Sequence, residues 1–433
     1  MILREPEPLD LRDVASILTR SYRLGLQRDI KFARLLRILQ VNPLDDEIYS
    51  LILERLESAE TEERLSPDPF RVTNPVCSDA PQGNIVMGTI LHSGVPWLIE
   101  APLLTNNTLI VGRPGGGKTN LMLLVIAQLP GMGTSVKIFD RKGDYVALLP
   151  HRDFLYWEFE DFYTNFLEPV PGDSAEAWIN TFSEVLANHL DIRVAARTLV
   201  SSAALELCDR MNSKVTGIWP TYREVYELIR NTRYPIQSHH ARQQETICNR
   251  SMGLLLVFGD HICSRRRLNW QRFVNSSWAI SLQNIPTDYQ NVFVAVIMAK
   301  LLRYRMVNNL RSPNLEMMCV FDEASTMFRK YYETQENVYL LTDYLAKCRE
   351  FGTGMLLGTQ TIANMADSAM ANTAIKIMVG GCGLGSDYQL FAAATGMTPQ
   401  QSEFLKQLTR PGQACAREPR YQYPFTLEIP RVV

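Results

Sequence analysis

No stretch of the 433-residue chain approaches the roughly 18 consecutive apolar residues that a membrane-spanning helix needs. The N-terminus, MILREPEPLDLRD, is charged almost at once and contains no signal-peptide core. The expectation is therefore a cytoplasmic protein with no membrane partner. An excess of one charge is also missing: 44 Lys and Arg against 46 Asp and Glu leave a formal net charge of −2. That excludes a polycation that coats nucleic acid or an acidic membrane, so any nucleic-acid contact must be local. The eight cysteines, at 77, 208, 248, 263, 319, 348, 382 and 415, come no closer than fifteen residues, which leaves no CxxC metal knuckle or redox dithiol. Reduced thiols are the simplest reading. His239-His240 has no Cys or acidic neighbour at ligand spacing and reads as surface. No nuclease, protease or deaminase constellation is present, and there is no internal repeat or low-complexity segment.

What is present is ordinary globular composition, 46% hydrophobic and 21% charged, over a length that allows two to four structural units. Residues 11 to 65 carry apolar positions at three and four spacing, with Asn42-Pro43 as a breaker between two segments, and read as part of an N-terminal helical module, 1–66. Pro67 to Gly83, with four prolines, reads as a linker or extended crossover. IVMGTILHSGVPWLIE then reads as a β-hairpin around Ser93-Gly94 that completes a lead-in segment, 67–107. From Thr108 the text changes to short apolar runs separated by helical stretches, the pattern of a parallel α/β sheet covered on both faces. Its predicted strands are Leu109–Val111, Ser135–Phe139, Phe154–Trp157, Trp278–Leu282, Met317–Phe321, Gly354–Leu357 and Ile375–Val379. Residues 171–271 contain no such run apart from an ambiguous LLLVF at 254–258, and read as an all-helical insertion that divides the core into 108–170 and 272–433.

The chemistry begins at Leu109-Ile-Val111, followed by Gly112-Arg113-Pro114-Gly115-Gly116-Gly117-Lys118-Thr119-Asn120 and an apolar helical run. Strand, glycine-rich loop and helix in that order make a P-loop. Glycines let successive N–H groups converge on the β-phosphate of ATP, Lys118 reaches the β- and γ-phosphates, and the Thr119 hydroxyl ligates Mg²⁺. Met317–Phe321 then runs into Asp322-Glu323. Asp322 is placed to hold Mg²⁺ through water and Glu323 to polarise the attacking water, although a strand ending in two acids also occurs as a plain exit into a helix cap. The next apolar run ends in Thr359-Gln360, where Gln360 suits a γ-phosphate sensor or, equally, an amide capping the following turn.

Ile138-Phe-Asp140-Arg-Lys-Gly143-Asp-Tyr145 resembles the D-P-K-G-E-Y segment of the HerA/FtsK superfamily of DNA-pumping motors. Ala346-Lys-Cys-Arg349-Glu-Phe-Gly352, then MLLGTQ, then Ala371-Asn372-Thr373-Ala-Ile-Lys376-Ile resemble its arginine-glycine, sensor-glutamine and N-T-x-x-K-I elements in order. The similarity covers about residues 84–430 and is nearest to HerA and the conjugation ATPases. It implies a RecA-like parallel α/β ATPase core, assembled as a hexameric homo-oligomer in which Arg349, eleven residues before Gln360, acts across the subunit boundary. The implied function is a ring motor that translocates on or unwinds DNA beside a separate nuclease or effector, in end processing or antiviral defence. The alternatives are a soluble ATPase of a conjugation or secretion apparatus, or an ATP-dependent scaffold that switches a partner enzyme. This chain departs from the family at Val379-Gly-Gly-Cys382-Gly, where relatives often carry an arginine; Arg410 is the substitute to consider. The N-terminal module reads as helical where HerA has a β-barrel, and the transmembrane anchor of FtsK and the coupling proteins is absent.

Two further features have bland and sharp readings. Arg265-Arg-Arg267 with Arg272 either touches DNA phosphates or is a solvated face, and the second reading is preferred. Tyr156, Trp157, Phe159, Phe162, Tyr163 and Phe166 either stack on bases or pack beneath the insertion, and again the second is preferred.

Overall fold

The computed structural model describes residues 11–432 except 25, 43–44, 66–67, 72, 76–82, 147–153, 191, 193, 236–237 and 333–339. Among the described residues eleven strands form one sheet in the order β2-β1-β11-β10-β9-β3-β8-β7-β4-β6-β5. In chain order they are β1 (Ile85–Ile90), β2 (Pro96–Ile99), β3 (Thr108–Val111), β4 (Ser135–Asp140), β5 (Phe154–Trp157), β6 (Ser277–Ser281), β7 (Ser312–Phe321), β8 (Phe351–Thr359), β9 (Ile375–Val379), β10 (Gln413–Arg417) and β11 (Phe425–Glu428). From β9 through β5 every neighbouring pair is parallel. The other four strands extend the sheet antiparallel beyond β9. The sheet is thus mixed and mostly parallel, and the seven strands expected from sequence are its parallel part. β10 and β11 escaped that reading because they span five and four residues amid Pro, Gly and Arg.

The parallel strands are buried on both faces, and successive side chains enter opposite cores. In β7, Met317, Cys319 and Phe321 enter one core, and Met318 and Val320 the other. One face is covered by α4 (Lys118–Gln128). The other is covered by α11 (Thr287–Val307), by α12 (Leu340–Lys347), α13 (Asp367–Ala371), α14 (Gly385–Thr395) and α15 (Pro399–Leu405), and by helices between β5 and β6. Those last are α5 (Ala175–His189), α6 (Val194–Arg210), α7 (Ser213–Thr216), α8 (Tyr222–Asn231), α9 (His239–Phe258) and α10 (Trp270–Asn275). The apolar run at 254–258 therefore ends α9 and forms no strand; Leu254 and Phe258, four apart, are buried on one helix face while Leu256 is exposed.

Helix α11 is buried nearly all round, so its charged residues need partners. The Lys300 ammonium donates to the carbonyls of Asn165 and Glu168 at 2.6 Å each and lies over the rings of Trp178 and Trp270. Burial pushes its pKa down to about 7 against the opposing pull of Glu168. The aromatic cluster is packing: Phe159, Phe162 and Phe166 meet Phe293 of α11.

Toward the N-terminus three helices stand where two segments were expected: α1 (Leu11–Arg23), α2 (Ile30–Val41) and α3 (Asp46–Leu65). The additional break comes at Asp29, whose carboxylate caps α2 by accepting from the N–H groups of Lys31 and Phe32. Ile17, Phe32, Leu36, Ile52 and Leu56 give these helices a core of their own. The proline-rich stretch at 67–83 lies largely outside the described residues, but its Phe70 is fully buried against Phe404.

Candidate active site

The carboxyl ends of β3, β4, β7, β8 and β9 lie along one edge of the sheet, the edge at which open α/β sheets bind ligands. The loop after β3 enters α4 through Gly117, whose φ of 104° is left-handed and favours glycine. At Gly116 a Cβ would stand 2.7 Å from the carbonyl oxygen of Val379, so the loop can press against the end of β9 only without side chains. The first-turn N–H groups of α4 have no intrahelical acceptor and give this end of the helix its positive field. A cavity of about 380 Å³ opens in front, lined by Arg113, Gly115, Lys118, Thr119, Lys142 and Gln360 among others.

Lys118 is buried and paired with Oδ1 of Asp322, which is buried in turn. Oδ1 also accepts the N–H of Glu323. Glu323 has a φ of 58°, left-handed for a residue with a side chain, and such backbone costs roughly 1–3 kcal/mol and gathers at functional sites. Its Oε1 accepts from Lys142 Nζ at 2.6 Å and from Gln360 Nε2 at 2.5 Å. Partial burial pulls the Lys142 pKa down, but the Glu323 hydrogen bond and charge, with Asp322 and Asp144, outweigh it and hold it above the ordinary lysine value.

Lys142 and Gly143 owe their position to Asp140. This fully buried carboxylate accepts from the N–H groups of Lys142, Gly143 and Tyr145. Burial raises its pKa and those three N–H groups pull it back. Arg141 donates to Thr326 and Asn291 and sits close enough to Asp322 and Glu323 to feel both; burial brings its pKa down to about 10 against their pull. On the far side of Gln360, Asp387 Oδ1 accepts from Thr361 and from the N–H groups of Ile362 and Ala363, which fixes the turn that carries the glutamine.

Of the residues singled out from sequence, Gly112–Thr119, Asp322, Glu323 and Gln360 come together on this edge. Asn120 begins there too, but its amide is committed to the C-terminal segment: Nδ2 donates to the Pro430 carbonyl and Oδ1 accepts from Val432 N–H. Arg113 likewise reaches outward to the carbonyl of Thr409. Arg349 is elsewhere. It lies just before β8, while Gln360 follows the other end of that nine-residue strand, roughly 30 Å away at ~3.3 Å per residue. Thr373 and Lys376 sit with it at the strand-start edge. Arg410 lies next to the Thr409 carbonyl that Arg113 grips.

Residue-by-residue reading assigned no role to Lys142, Asp140, Arg141 or Asp387. The signal for the first three lies in the Asp140–Tyr145 segment, a motif whose local spelling does not say what its charges pair with. The basic run at 265–267 is spent internally: Arg265 pairs with Glu224, Arg266 stacks on Tyr163 and Arg267 donates to the Gly217 carbonyl.

The residues present fit ATP with Mg²⁺. A loop that a Cβ would fill borders the cavity, and the Thr119 hydroxyl and Asp322 carboxylate are hard oxygen donors of the kind Mg²⁺ takes. Among the described residues no group of three or more His, Cys, Asp or Glu offers another metal site.

Fold and site together define a P-loop nucleotide-binding protein with a RecA-like sheet. Residues 85–201 match the family model "Helicase HerA, central domain". A curated relative, the DNA double-strand break repair helicase HerA of Sulfolobus acidocaldarius, is 20% identical over 373 residues, which are 81% of this chain and 72% of that one. Among solved structures, VirB4 of Thermoanaerobacter pseudethanolicus superposes with a TM-score of 0.60 at 16% identity, over 81% of this chain and 97% of its own. The plasmid coupling protein TrwB in complex with ADP and Mg²⁺ gives 0.60 at 11%, over 82% and 91%. At these identities the structural likeness is one of fold. Residues 85–201 thus resemble a HerA-type central domain, and the fold is one shared with VirB4 and TrwB. Among the described residues no helix is long and apolar enough to cross a membrane.

Proposed function

We propose that this protein is an ATP-hydrolysing ring motor that translocates on or unwinds DNA, with a separate nuclease or effector as partner in end processing or antiviral defence. The observation that carries the hydrolytic part is Glu323: a carboxylate at the phosphate edge, beside the Lys118–Asp322 pair, with one oxygen fixed by Lys142 and Gln360. In this reading Lys118 and the α4 N-terminus bind the phosphates, and Thr119 and Asp322 hold Mg²⁺, which supplies charge neutralisation when bound. Gln360 and Lys142 orient the Glu323 carboxylate, and its second oxygen, Oε2, takes the proton of the attacking water. DNA as the track is supported by the HerA match and the HerA helicase relative.

Glu323→Gln tests the first half. The amide is nearly isosteric but cannot take the proton, so nucleotide binding is kept while turnover stops, trapping an ATP-loaded protein. Wild-type turnover in this variant would give the water to another group. The second half is tested by the ATPase rate on linear duplexes of increasing length at low and moderate salt. A motor responds to DNA, and the response fades with salt as phosphate contacts are screened. A rate that ignores every DNA but answers to a partner protein would leave the scaffold, or a soluble ATPase of a conjugation or secretion apparatus.

A further inference from the structure

One cation that lines the P-loop cavity has donors to spare. Three cations line it, Arg113, Lys118 and Lys142, against a single carboxylate, Asp144. Arg113 turns outward to the Thr409 carbonyl, and Lys118 is buried at the loop itself beside Asp322. Lys142 differs from both. Its side chain is 45% exposed, and its ammonium gives one N–H to Glu323 Oε1 at 2.6 Å. An ammonium has three donors, and among the described residues the other two meet no acceptor. The backbone fixes where this group stands. Lys142 lies in a turn closed by the Asp140 carboxylate, which accepts from three N–H groups, and the chain leaves that turn through Gly143 at a left-handed φ of 79°. Strand ends follow one another along the phosphate edge in the order β3, β8, β7, β4. The P-loop after β3 and Lys142 after β4 therefore close the two ends of a row, with Gln360 and Glu323 between them.

We propose that Lys142 is a ligand of the γ-phosphate, bridging it to Glu323, and that through this contact the site tells ATP from ADP. The loop after β3 takes the β-phosphate, so the terminal phosphate is the part of the nucleotide that extends toward the other end of the row. With one N–H on Glu323 Oε1 and another on a phosphate oxygen, the Lys142 ammonium neutralises charge where the transferred group carries it and leaves Oε2 to the attacking water. The orientation of the base is thereby tied to the presence of a triphosphate. ADP has no terminal phosphate to accept from Lys142, so the lysine adds nothing to its affinity. The inference rests on the hydrolytic reading of Glu323 given above, and adds to it a phosphate ligand from β4.

The test is Lys142→Met in the full chain, which removes the ammonium and keeps most of the apolar stem, with Lys142→Arg as the charge-conserving control. Calorimetry in the presence of Mg²⁺ measures affinity for ADP and for the non-hydrolysable ATP analogue with an imido bridge between its β- and γ-phosphates, and ATP turnover is followed alongside. Lys142→Met should bind the analogue roughly tenfold or more weakly, the size of a lost charge-assisted hydrogen bond, and should bind ADP as wild type does. Wild-type ADP affinity also shows that the loop is folded. Lys142→Arg should keep most of the preference for the triphosphate. If Lys142→Met leaves both affinities at wild type, whatever its turnover, the lysine touches no phosphate; the proposal is overturned and the hydrolytic reading stands. If both affinities fall alike, Lys142 serves the site as a whole rather than the γ-phosphate, and the proposal is again overturned. A wild-type protein that binds neither nucleotide, or a Glu323→Gln variant that turns over at the wild-type rate, takes down the reading beneath it as well.

Discussion

Lys118→Ala abolishes ATP binding and also destabilises the protein, by about 3 kcal/mol, because the lysine has two partners. From sequence its partner was the nucleotide alone, and little loss of fold would follow. The structure pairs it with Asp322, and both side chains are almost wholly buried, so truncation strands a carboxylate away from water. The two losses separate in Lys118→Ala/Asp322→Asn: the amide carries no charge to strand, so much of the stability returns while nucleotide binding does not. Calorimetric titration with ATP and thermal melting of both variants check this. Unchanged ATP affinity in the single variant removes the P-loop assignment, and an unchanged melting temperature shows that the pair contributes nothing to the fold.

Arg349→Ala binds ATP normally and loses turnover by roughly 10³-fold or more, the range of an arginine finger supplied by a neighbour. Within one subunit such a loss would make no sense, since Arg349 and Gln360 stand at opposite ends of β8. In a ring, the strand-start edge of one subunit can meet the phosphate edge of the next, and transition-state charge is then neutralised only at a completed interface. Mixing Arg349→Ala with Lys118→Ala is the sharper experiment. Some interfaces take their lysine from one mutant and their arginine from the other, so part of the activity returns. If mixed rings form, as native mass spectrometry would show, and no activity returns, Arg349 is no part of the site.

The phosphate loop could be read directly because its physics is local. The left-handed turn at Gly117 and the close approach at Gly116 are demands on neighbouring residues, and glycine is the written trace of both. The apolar runs of the parallel strands were legible for a related reason: a strand buried on both faces is apolar at most positions, and an exception such as Lys137 of β4 must find a buried acceptor, here the Phe273 carbonyl. Asp322-Glu323 could be placed at a strand end but not given partners. Lys142 lies 181 residues from Glu323, and Asp322 lies 204 residues from Lys118. No periodicity connects such positions.

By itself the sequence thus determined the P-loop, the two acids and the polar sensor, each written within a dozen residues, and the run of short buried strands that carries them. Only the tertiary structure decided how those pieces meet. Strand order sets β3 between β8 and β9 and β7 between β8 and β4, which brings Lys118 to Asp322 and Lys142 and Gln360 to one oxygen of Glu323. The same order puts Arg349 at the far edge and adds an antiparallel flank that no pattern announced. The physical reason is that pairing between distant strands is chosen by the burial of whole faces, a property of the assembled sheet that no short segment carries.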